Sequence, residues 1–144
     1  MGNISNLNKL SNLSKMTTEE IFEIGANCLL VLGHKFFLVI EIESAVPDVE
    51  LSVYVIVRTD EVTARKLHDA GLDFCEVTRT VPRARKGITV EFQCVFIDGC
   101  NVFALFDVEN DFDKAVFVKI SLAEAKRLIR RGAMQCTVID ARNR

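Results

Sequence analysis

The sequence predicts an α+β fold in which one β-β-β-α-β unit is written twice. The sheets are largely antiparallel, two short helices lie on them, and the halves are related by a pseudo-two-fold arrangement. Three observations predict this. Residues 57–77 align without a gap on residues 118–138, with Val57/Val118, Ala64/Ala125, Leu67/Leu128, Gly71/Gly132, Cys75/Cys136 and Val77/Val138 identical. Residues 28–43 align in the same way on 94–109, sharing Cys28/Cys94, Gly33/Gly99, Phe37/Phe103 and Glu43/Glu109. In both 57–77 and 118–138 a short helix with an apolar stripe is followed by a strand that alternates its faces.

Taken in order, residues 1–16 read as a flexible N-terminal arm, rich in Asn and Ser, with Ile4, Leu7, Leu10, Leu13 and Met16 spaced by three. It has no long apolar run, so neither a signal peptide nor a membrane span is expected there. Asn6 stands where a myristoylation motif wants a hydroxyl residue. Thr17 and Glu20 form a capping box opening a short helical turn. Residues 17–144 are then expected as a single domain made of two repeats, 27–77 and 89–139.

The first repeat opens with a hairpin turning at Gly33-His34, followed by a third strand over 51–57. Asp60 caps a helix that Gly71 ends, and Cys75 and Val77 share a face of the fourth strand. Residues 78–87, with Arg79, Pro82, Arg83, Arg85 and Lys86, form a basic linker. In the second repeat the hairpin turns at Asp98-Gly99 and the third strand runs over 115–120. Ser121 with Glu124 makes a capping box, and Leu122, Ala125, Leu128 and Ile129 form an apolar stripe ending at Gly132. Met134, Cys136 and Val138 alternate in the last strand. Val53, Val55 and Val57, or their counterparts beside Phe117, are expected to supply an exposed edge for strand addition.

Apolar residues make up 49% of the chain, and its ten Phe with no Trp form an interior-type aromatic set. A chain this long buries roughly two-thirds of its unfolded surface, so the apolar excess implies an unusually complete core or a face covered by another chain. Charge is polarised. Residues 1–57 hold three Lys against seven acids, and 115–144 hold seven Lys or Arg against Glu124 and Asp140. Arg79, Arg83, Arg85, Lys86, Lys126, Arg127, Arg130 and Arg131 form a basic patch suited to an acidic partner surface or to nucleic acid. Aromatic residues interleaved with those charges are lacking, which disfavours nucleic acid.

No catalytic constellation emerges, and no catalytic, cofactor-binding or metal-binding residue is assigned. The five cysteines contain no C-x-x-C pair and lie beside apolar neighbours, so they are expected as buried thiols. A disulfide between them requires an oxidising compartment. His34 and Cys100 occupy aligned turn positions, a dyad without a third orienting residue. The run from Asp107 to Asp113 resembles the start of a calcium loop but lacks its Gly, and Val118 stands where the last acidic ligand belongs. Glu41, Glu43, Asp107 and Glu109 are expected at strand ends reaching water. The element order resembles the opening of ribonuclease-H-like folds, without the acidic metal-binding set at matching places.

The expected function is that of a non-catalytic structural or protein–protein interaction protein that self-associates as a homo-oligomer. The expected setting is cytoplasmic and intracellular, without a membrane or a cofactor. The first alternative is a small-ligand-binding or regulatory module with a pocket between the repeats. The second is nucleic-acid binding through the basic linker and second helix.

Overall fold

The computed structural model of the chain describes residues 21–49 and 51–142, so the expected arm over 1–16 and the capping box at Thr17 lie outside the described residues. The elements run β1 (Phe22–Leu32), β2 (Lys35–Ser44), β3 (Ser52–Thr59), α1 (Glu61–Asp69), β4 (Glu76–Thr78), β5 (Thr89–Asp98), β6 (Asn101–Glu109), β7 (Asp113–Lys119), α2 (Leu122–Arg130) and β8 (Thr137–Asp140). This is an α+β architecture with two four-stranded sheets, ordered β1-β2-β3-β8 and β4-β7-β6-β5. β5 with β6 and β6 with β7 pair antiparallel, whereas β8 lies parallel to β3 and β4 parallel to β7. Among the described residues, no helix is long and apolar enough to cross a membrane.

The chain separates into two units, Met1–Gly25 with Glu41–Val53 and Ala26–Ile40 with Tyr54–Arg144. In the first, Ser44 N–H donates to the Leu51 carbonyl at 3.0 Å and Ala45 N–H to the Ile21 carbonyl at 2.8 Å. The turn between them passes through Asp48, a non-glycine residue at φ 68°. Asp tolerates that left-handed conformation better than most residues. Ser52 Oγ donates to the Glu41 carboxylate at 3.0 Å.

The second unit holds the core, and its composition follows from strand pleating. Each of six strands sends two residues, spaced i and i+2, into one cluster. They are Cys28 and Leu30, Phe37 and Val39, Tyr54 and Ile56, Cys94 and Phe96, Phe103 and Leu105, and Ala115 and Phe117. The Phe37 and Phe96 rings meet edge to face at 5.3 Å, joining the two sheets, and Phe96 and Phe103 each meet Phe117. Each fully buried ring or aliphatic side chain stabilises the fold by about 1.5–3 kcal/mol. β3 and β7 are central strands, paired on both sides. The edge expected along Val55 and Val57, or beside Phe117, is therefore paired: β8 covers β3 from Val55 to Arg58 and β4 covers β7 from Val116 to Val118, while Val53 lies beyond the β8 register.

The helices start and stop as their end residues dictate. Asp60 Oδ1 accepts from Thr63 N–H at 2.7 Å. Ser121 and Glu124 cap reciprocally, at 3.0 and 2.8 Å. Gly71 (φ 109°) and Gly132 (φ 104°) follow the last helical turns. Their amides donate to the His68 and Ile129 carbonyls, and the next amides, Leu72 and Ala133, reach back to Leu67 and Leu128. This is the Schellman pattern, and a side chain at either glycine would strain it.

Both hairpins turn on a glycine with positive φ, Gly33 at 63° and Gly99 at 61°. The second turn is Gly99-Cys100, because Asp98 still pairs with Asn101 as a strand residue. Glycine thus takes the first turn position, as a type II′ turn requires, one residue later than the expected Asp98-Gly99.

Candidate functional site

The segments that follow the helices define the most distinctive local chemistry. After α1 the chain first runs beside β1: Leu29 N–H donates to the Asp73 carbonyl at 2.9 Å and Cys75 N–H to the Leu29 carbonyl at 2.8 Å. It then enters the other sheet as β4, beside β7. After α2, Val95 N–H donates to the Met134 carbonyl at 2.9 Å and Cys136 N–H to the Val95 carbonyl at 2.8 Å, before β8 joins β3. Each segment therefore switches sheets and closes a corner.

A disulfide sits at each corner. Cys28 joins Cys75 and Cys94 joins Cys136, so the expectation of buried free thiols is overturned for these four. The reason is geometric. A parallel bridge beside Leu29 or Val95 brings the cysteine Cα atoms to 4.8 and 4.9 Å, within disulfide range. Asn27 adds a third tie at the first corner. Its amide donates to the Asp113 carbonyl at 3.2 Å and its Oδ1 accepts from Ala115 N–H at 3.0 Å, as a strand backbone would.

These segments leave apolar side chains uncovered. Val77 on β4 is 49% exposed, and Val138 and Ile139 on β8 are 48% and 50% exposed. Val138 and Ile139 are adjacent, so they point to opposite faces of the strand. Beyond them the outer backbone of each strand ends its sheet.

The eight basic residues all lie on the surface. Arg79, Arg83, Arg85 and Lys86 stand between β4 and β5, where Arg85 and Ile88 form a small backbone bridge. Lys126, Arg127 and Arg130 are on α2, and Arg131 caps its end. No hydrogen bond or ion pair among the described residues joins the two groups. The hydrogen bonds of the Ser121 cap, helped by nearby Arg127, hold the Glu124 carboxyl below its ordinary range.

The turn dyad is not assembled. Lys35 and Asp98, beside the two turns, form an ion pair at 2.9 Å, but no bond links His34 with Cys100 among the described residues. Cys100 is an exposed free thiol.

Two of the four acidic strand residues are a correction, whereas Glu109 is exposed as expected. Glu41 and Asp107 are 8% and 5% exposed rather than reaching water. The signal was the strand period: Glu41 continues the inward row Phe37, Val39, and Asp107 continues Phe103, Leu105. Burial pushes the Asp107 carboxyl above its ordinary range. The Tyr54 hydroxyl, donating at 2.8 Å, draws it back, and Asp113, Glu109 and Glu91 raise it further. Asp113 Oδ1 is itself buried without a hydrogen-bond partner.

A carboxyl raised in the folded state favours the protonated fold. Its stabilising contribution is present below the unfolded pKa, near 3.9, and is lost as pH rises through the folded value. Asp107→Asn keeps an acceptor for Tyr54 and removes the buried charge. The expected result is a higher Tm than wild type at pH 7, with the gain vanishing at pH 3, in paired thermal melts. Tyr54→Phe leaves the carboxylate without its donor and is expected to lose about 1.5–3 kcal/mol at neutral pH.

In comparisons with known proteins, no protein-family model, no curated protein sequence and no solved structure matches this chain.

Proposed function

We propose that this chain is a non-catalytic structural protein that self-associates, built by internal duplication of a β-β-β-α-β unit about a pseudo-two-fold axis. Its contacts are the outer edges of β4 and β8. The observation that carries this reading is the exposure of Val77, Val138 and Ile139 on two strands that each end a sheet. Unpaired strand backbone flanked by apolar side chains is what strand addition uses. Two similar edges in one chain allow it to engage two neighbours.

Several matched features support the duplication. The Schellman ends, the sheet-switching segments and the two disulfides fall at aligned positions. So do two cation–π contacts, Arg58 over Phe37 at 5.6 Å and Lys119 over Phe103 at 5.4 Å. The disulfides also support an oxidising setting rather than the cytoplasmic one expected from the sequence.

Light scattering after gel filtration, from dilute to concentrated samples, tests the reading. The expected result is a mass that rises with concentration. Charging the edges with Val77→Lys and Ile139→Lys is expected to weaken association by about tenfold or more, roughly 1.4 kcal/mol. A strict monomer at all concentrations would sink the proposal.

A further inference from the structure

A cavity of about 260 Å³ opens between α1 and the β1–β2 hairpin, walled by Leu29, Val31, Phe36, Ala64, His68 and Phe74. The positions aligned with these in the second half behave differently. Val95, Val102 and Ala125 are buried there, with Ile97 and Ile129 packed against them in one apolar cluster. Ile129 stands where His68 stands, and Gln135 where Phe74 stands. In the second half these side chains pack on one another, whereas the first leaves Phe74 57% exposed, stacked on His68 at 4.4 Å and 25°.

Charge at the rim indicates what would fill it. Glu61 and Asp69 border the cavity, and Glu61 is paired with Arg65. Asp69 has no ion-pair or hydrogen-bond partner among the described residues, and it is the last residue of α1. A carboxylate at that end opposes the helix dipole, which favours a cation there. Arg65 also lines the cavity, and the positions aligned with Glu61, Arg65 and Asp69 in the second half are Leu122, Lys126 and Arg130. His68 Nδ1 donates to the Leu72 carbonyl at 3.0 Å, so in the neutral ring Nε2 is left as an acceptor.

We propose that this cavity binds a small organic amine with a single apolar ring. The ring would lie against the His68–Phe74 stack and the wall formed by Leu29, Phe36 and Ala64. The ammonium group would face Asp69 and the aromatic face of the stack, a cation–π geometry that an aromatic wall favours. The size agrees: the cavity is just below the roughly 300–1,000 Å³ of sites for larger ligands, leaving room for one ring. The comparison of halves rests on the proposed duplication, but the cavity and its rim do not. The binding test is also separate from the self-association test, so either can fail alone.

Titration of the 144-residue chain with phenethylamine, 2-phenylethanol and 3-phenylpropionate, followed by amide NMR shifts, is the experiment. Phenethylamine is expected to shift the α1 and β1 amides saturably and to bind about fivefold or more tighter than the alcohol, with the carboxylate weakest. Asp69→Asn is expected to erase the preference for the amine while sparing the fold. His68→Ile, which installs the residue found at the aligned position, is expected to abolish binding of all three probes with Tm maintained. Equal affinity for the three probes, no saturable shifts in wild type, or undiminished binding in His68→Ile overturns the proposal.

Discussion

Replacing Cys94 and Cys136 together by Ala is expected to cost about 4 kcal/mol, and replacing Cys28 and Cys75 nearly the same. A cross-link stabilises mainly by removing freedom from the unfolded chain, with a cost that grows as the logarithm of loop length. The two loops span 42 and 47 residues, so the chain-entropy relation gives each about 4 kcal/mol, within a few tenths of the other. Domains of this size are stable by only about 5–15 kcal/mol, so reducing both bonds is expected to leave the fold marginal. Urea unfolding with and without a phosphine reductant measures the effect. Thiol titration of the native chain is expected to find one reactive group, Cys100. Unfolding midpoints unchanged by reductant would show that the corners hold without covalent help.

Phe117→Ala is expected to lose about 3–5 kcal/mol, the range for removing a ring from a packed core. Phe117 is fully buried on the central strand β7, with the Phe96 and Phe103 rings at 6.2 and 5.9 Å. Its own strand is held by ladders on both sides, so the space left by the ring cannot readily collapse. Phe112→Ala is the control: that ring is 82% exposed, and the change is expected to stay within about 0.5 kcal/mol. Similar losses at the two positions, read as a shift in urea midpoint, would mean that the core is loosely packed.

The candidate sites were legible only in part. The basic residues were found by charge alone, and they lie exposed, as solvated charge must. The charge of Asp107 suggests a water-facing strand end, whereas its place in the row Phe103, Leu105 turns it inward. The cavity beside α1 could not be seen in the sequence. His68 opposite Ile129 was visible in the alignment, but whether a substitution leaves a void depends on how neighbouring side chains repack.

The sequence by itself determined the order of the elements, both N-caps, both glycine helix ends and the turns to within a residue. All of these follow from interactions within a few residues, such as a side chain reaching an amide three positions on or a strand alternating its faces. Only the tertiary structure decided that β8 lies beside β3 and β4 beside β7, which removed the expected edges and created new ones. It also decided that four cysteines meet in pairs. Strand partnership and disulfide pairing join residues forty or more positions apart. Their choice depends on which apolar faces can be buried together, a property of the whole chain rather than of any stretch of it.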